Sequence, residues 1–159
     1  MDKYFNPQGR LNPAEYIRGG SILIVAGVIL SLIQQTGIVT IMVLANLVTL
    51  FLAYPWVVLW IKRYHEGGKS GWFAMIPLFV FVIGFYFVSH LIFSVEFKTL
   101  IEAYETGVSQ EELAGLMEEL IKPKEVLFLL VTTLYSLAFL HVFNKLIKSD
   151  PNENQYGPA

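Results

Sequence analysis

Four long apolar runs divide the chain, and short polar blocks separate them. The runs predict membrane-crossing helices at residues 16–33, 38–61, 72–95 and 126–147, each near the ~20 residues that cross a hydrocarbon core. Arg18 falls at the end of the first span, where its head must snorkel toward the headgroups. Gly20, Gly27 and Ser31 share one face of that span, a ridge of small residues that admits a neighbouring helix. The second span carries Asn46 and Thr49, expected to face protein, and Pro55, which predicts a kink near its far end. Tyr54, Trp56 and Trp60 fit an interfacial aromatic belt. His90 lies in the third span, and Thr132, Thr133, Ser136, His141 and Asn144 lie in the fourth.

The polar blocks carry the punctuation. Asn12-Pro13 predicts a helix start, with Asn12 as N-cap, Pro13 at the first helical position and Glu15 in the first turn. The run that follows ends without a small-x-small site, so no cleaved signal peptide is expected. Residues 34–37 leave room only for a tight antiparallel turn. Residues 62–70 predict a central loop rich in glycine and charge. In residues 96–125, Ser109 and Glu112 have capping-box spacing. Leu113, Leu116, Met117, Leu120 and Ile121 then repeat at helical spacing, which predicts an amphipathic helix over 110–122 that is too short to span, ended by Pro123. The tail, 149–159, predicts irregular structure. The fold expected is all-α: one integral-membrane four-helix bundle over 1–159, made of two antiparallel hairpins, with the extra amphipathic helix between spans three and four.

Composition turns this pattern into a statement about solvent. Hydrophobic residues make up 55% of the 159 and charged ones only 15%, against about a quarter in soluble domains. A net charge of −2 gives no case for nucleic acid, and without cysteine there are no disulfides or thiolate metal sites. Charge also orients the chain. Lys3, Arg10, Arg18, Lys62, Arg63, Lys69, Lys145 and Lys148 fall on the side of the two ends, while Lys98, Lys122 and Lys124 fall on the other. The excess of basic residues on cytoplasmic segments predicts both termini and the central loop in the cytoplasm.

Candidate chemistry is sparse. Gly68-Lys69-Ser70 matches the end of a phosphate-binding loop, but Arg63 stands where that motif needs glycine and an apolar helix precedes it instead of a strand. His65-Glu66 could form half a metal site, but no co-ligands stand at suitable spacing, and a hydrogen-bonding histidine is the simpler reading. No catalytic residue, metal or cofactor is expected. The candidate site is a cytoplasmic-face cluster of Gly9, Arg10, Arg63, His65, Glu66, Gly68, Ser70, Gly71, Trp72, Tyr156 and Gly157. A competing reading, a small transporter or channel subunit, would use Asn46, His90, Thr132, Thr133 and His141 as a polar lining. Expected partners are membrane lipids, and either a second copy or another protein.

Three ordered segments carry a family resemblance: Gly9-Arg10-Leu11-Asn12-Pro13-Ala14-Glu15-Tyr16, Arg63-Tyr64-His65-Glu66-Gly67-Gly68-Lys69-Ser70-Gly71-Trp72 and Asn154-Gln155-Tyr156-Gly157-Pro158. Together they resemble the bacterial inner-membrane family known as domain of unknown function 805, over nearly the whole chain. The chain departs from that pattern at Asn12 and Pro13, at Ile17 in place of tryptophan, and at Glu66 in place of aspartate. The resemblance implies an inner-membrane location and no specific activity. The three segments are expected to touch.

Overall fold

The computed structural model describes residues 2–157, and among these every long element is helical. Helix α1 is Pro13–Gln34, α2 is Val39–Glu66, α3 is Met75–Glu105, α4 is Gln110–Ile121 and α5 is Glu125–Leu146. Four stretches, Pro13–Gln34, Val39–Glu66, Gly71–Glu105 and Gln110–Leu146, are long and apolar enough to cross a membrane, which marks a multi-pass membrane protein.

Local side-chain signals set the starts of α1 and α4. The Asn12 side chain accepts the Glu15 N–H at 2.9 Å, and Pro13 opens α1. Ser109 and Glu112 close a capping box at the start of α4. No α4 residue is buried, its apolar stripe included, and Met117 is exposed. Pro123 sits in a single 3-10 turn, Lys122–Lys124, that leads straight into α5.

Helix ends depart from expectation. The polar block 62–70 is not all loop, because Lys62–Glu66 continue α2. Lys, Arg, Tyr, His and Glu all tolerate a helix interior, so the stop comes only at Gly68, whose φ of +69° a side chain would resist. There the Lys69 N–H reaches the Tyr64 carbonyl and the Gly68 N–H that of His65, both at 3.0 Å, closing a Schellman motif. Gly107, with φ of +79°, ends α3 in the same way, ten residues beyond the expected limit at 95. At 31 residues α3 is about 46 Å long, well over the ~30 Å of hydrocarbon.

Contacts divide the chain into two compact units. One comprises the chain up to Phe81 and from Tyr135 onward, and the other is Val82–Leu134. The first has a core of Leu11, Tyr16, Leu59, Trp60, Tyr64, Leu140, Phe143 and Ile147. Trp60, expected in an interfacial belt, is only 3% exposed and packs its ring against Phe81 and Phe139. The small-residue ridge is also displaced. A Cβ on Gly19 would stand 2.8 Å from Leu59, and one on Gly20 would stand 2.3 Å from Leu140, whereas Gly27 has nothing within 4 Å. Asn46 and Thr49 are exposed, and Ala45 is the buried residue beside them. In the second unit Phe93 is buried against Phe97 and Phe128, and Lys124 bridges the Glu96 carboxylate at 2.6 Å and the Ile92 carbonyl at 2.8 Å.

Candidate functional site

The end of α2 projects four polar side chains, and three separate segments close on them. Lys62 receives the N-terminal segment: its carbonyl accepts the Leu11 N–H at 3.1 Å and its ammonium donates to the Lys3 carbonyl at 3.0 Å. This buries Leu11 completely and sets Gly9 and Arg10 beside the last turn of α2. The His65 Nδ1 lies 2.9 Å from the Gly9 carbonyl oxygen. A carbonyl only accepts, so Nδ1 carries a proton, and Nε2 is turned toward Gly71.

Arg10 is the hub. Its Nε donates to a Glu66 carboxylate oxygen at 2.5 Å, with the two side chains only 6% and 9% exposed. Its other nitrogens donate to the Asn152 carbonyl at 2.9 Å, the Gly157 carbonyl at 3.4 Å and the Asp150 carbonyl. A guanidinium offers five donors in a rigid fork, and here they span a carboxylate and three tail carbonyls. The Glu66 partner raises the Arg10 pKa above its ordinary value, so the hub stays cationic.

The tail supplies the third wall. Its Asp150 N–H donates to the Glu66 carbonyl at 2.8 Å, and the Asn154 amide donates to the His65 carbonyl at 3.1 Å. Asn154 and Gly157 then pair across a two-residue turn. The turn lays the Tyr156 ring flat on His65, with centroids 3.7 Å apart.

Arg63 does separate work. It is 1% exposed, and its Nε donates to the Asn144 side-chain oxygen at 2.7 Å. Its Nη2 donates to the Asn144 carbonyl at 3.0 Å and to the Ile147 carbonyl. The cation thus satisfies free carbonyls at the C-terminus of α5, where the helix dipole favours positive charge.

The family model described as "Protein of unknown function (DUF805)" matches residues 4–158. The chain belongs to this family. No curated protein and no solved structure matches it.

The three segments that carried the resemblance to the DUF805 family meet here, except that Pro158 lies outside the described residues. Gly9, Arg10, His65, Glu66, Tyr156 and Gly157 form the cluster. Gly68 lies beside the Asp150 carboxylate, and a Cβ on Gly71 would press on Ile61 and His65. Ser70 caps the 3-10 turn Gly71–Ala74 by accepting the Trp72 N–H. Trp72 stands apart, 83% exposed. Arg63 points to Asn144 instead of the N-terminal segment. Among the described residues no three acidic or histidine side chains gather to hold a metal ion.

Several polar residues of the spans bond within their own helix or to the next one in the chain. Asn46 accepts from Gln34 at 3.0 Å on an exposed face, and His141 bonds the Leu137 carbonyl of its own helix. Thr132 and Thr133 return their hydroxyls to the Phe128 and Leu129 carbonyls. His90 is exposed beside Tyr86.

Sequence reasoning missed Asp150 and Asn152, because they act through backbone carbonyls that any residue possesses. Asn154 had a signal, its place in the tail motif. Lys62 was read only as a charge that orients the chain, yet it anchors the N-terminal segment.

Proposed function

We propose that the chain is a non-enzymatic, multi-pass component of the bacterial inner membrane that works through lipid or protein contacts at its cytoplasmic face. Its four spans form two antiparallel hairpins in one bundle, with the acidic helix α4 outside. Both ends and the hub at the foot of α2 lie on the cytoplasmic side, and a second copy or another protein docks there. One observation carries the reading. The N-terminal segment, the end of α2 and the tail are tied together by Arg10, His65 and Glu66, and their polar groups are spent on one another. An interlocked cap of this kind suits a rigid contact surface. The split of basic residues, with eleven in all and only Lys98, Lys122 and Lys124 on the far side, supports its orientation.

Fusion of a reporter to the C-terminus tests the orientation. Activity only inside the cell is expected, and activity on the outer side overturns the topology. Native mass spectrometry of the purified protein tests the contact role, with retained lipid or a second copy as the expected result. A bare monomer that turns over a small molecule overturns it.

A further inference from the structure

Asn46 and Thr49 stand exposed on α2, although polar side chains in a span ordinarily face protein. The depth of Asn46 follows from the other end of the helix. The N-terminal segment and the tail bond Lys62 and Glu66, and such irregular backbone cannot sit among acyl chains. Lys62 therefore marks one limit of the span. The ~30 Å of hydrocarbon, measured back along α2 at about 1.5 Å per residue, reaches roughly to Met42. Asn46 lies inside that length. Its carboxamide stands on a single methylene, too short to snorkel to the headgroups as lysine and arginine do.

Only part of this carboxamide is satisfied. Its Oδ1 accepts from Gln34 Nε2 at 3.0 Å, and among the described residues its Nδ2, which offers two donors, has no acceptor. Acyl chains have no acceptor to give, so it comes from another polypeptide. The surrounding face indicates which. Thr49 and Ala53, at i+3 and i+7, continue it and are exposed. Both are small, and Thr49 turns its hydroxyl back to the Ala45 carbonyl at 2.9 Å, so a second helix can approach closely. The face carries no charge that would select a partner of opposite sign. A carboxamide is both donor and acceptor, so it satisfies a copy of itself. Two chains that cross the bilayer in the same sense, related by a two-fold axis along its normal, bring Asn46 level with its counterpart. One asparagine on an otherwise apolar seam fixes the register and number of paired helices in this way.

We propose that two copies of this chain pair through α2 within the bilayer, with the Asn46 Nδ2 of one copy donating to the Asn46 Oδ1 of the other and Thr49 and Ala53 along the seam. The contact lies about 24 Å along α2 from Lys62, remote from the hub. The inference rests on the reading that α2 crosses a bilayer, and it assigns the residues by which a second copy is held.

The chain has no cysteine, so single thiols report the seam. Phe51 is exposed like Ala53 but points to the other side of α2, two residues away at about 100° each. Full-length Ala53→Cys and Phe51→Cys are placed in phosphatidylethanolamine and phosphatidylglycerol vesicles, with lipid in large excess, and oxidised with copper phenanthroline. Ala53→Cys forms the disulfide-linked dimer roughly tenfold faster, because the bond needs Cα atoms within about 7 Å. Adding Asn46→Leu to Ala53→Cys slows the linkage by about tenfold, and Asn46→Gln, which keeps a carboxamide, does not. Equal linkage at the two positions overturns the proposal, as does linkage that Asn46→Leu leaves unchanged. Absence of linkage at Ala53→Cys in a chain that has inserted also overturns it, and leaves Asn46 to a different protein. A chain that fails to insert overturns the wider membrane reading, and this proposal with it.

Discussion

The imidazole of His65 lies flat on the phenol of Tyr156, with planes 4° from parallel, although the two residues are 91 positions apart in sequence. This stack closes the tail over the end of α2. Stacked aromatic pairs contribute about 0.5–1.5 kcal/mol beyond the area they bury. Tyr156→Ala therefore frees the tail, and hydrogen exchange over 149–157 rises by roughly tenfold while the helices stay protected. Tyr156→Phe keeps the stack and leaves exchange unchanged. Unaltered exchange in the alanine variant shows that the stack holds nothing.

The Arg10–Glu66 pair is buried, so breaking it from one side leaves a stranded charge. Glu66→Ala costs about 3–5 kcal/mol in thermal unfolding in detergent. Arg10 retains its tail carbonyls in that variant, which points to the lower end of that range. Arg10→Ala/Glu66→Ala is milder than the sum of the singles. Additive losses would mean that the two groups do not act as a pair.

Arg63 caps the end of α5 with a fork of nitrogens, and a lysine ammonium cannot reproduce that fork. Arg63→Lys keeps the charge yet costs about 2–3 kcal/mol, with fraying of the last turn of α5 visible in hydrogen exchange. Wild-type stability in this variant would mean that charge alone suffices.

Gly20 and Gly27 are seven residues apart on α1, yet only Gly20 meets a neighbour. Gly20→Ala drives a methyl into Leu140 and destabilises by about 1–3 kcal/mol. Adding Leu140→Ala removes the clash, so the double variant loses less than the singles summed. Gly27→Ala raises stability by up to about 1 kcal/mol through helix propensity. The melting temperatures of the four variants check the contrast.

The sequence by itself determined what depends on neighbours along the chain. Asn12 and Ser109 cap helices because their side chains reach backbone N–H groups three residues on, a relationship that spacing alone specifies. The four apolar runs follow from length and hydropathy, which local composition sets. The three polar segments were readable as motifs, and their meeting was expected from how small the protein is.

Only the tertiary structure decided which face of each span is inside. In these helices lipid-facing and core-facing residues are both apolar, so no amphipathic period separates Trp60, which is buried, from Phe51, which is exposed. For the same reason the working notch is Gly19 and Gly20, and Gly27 is open. The partition of the two arginines was equally hidden. Arg10 grips tail carbonyls and Arg63 grips the end of α5, and those acceptors are backbone atoms identical at every position until folding brings particular ones within 3 Å.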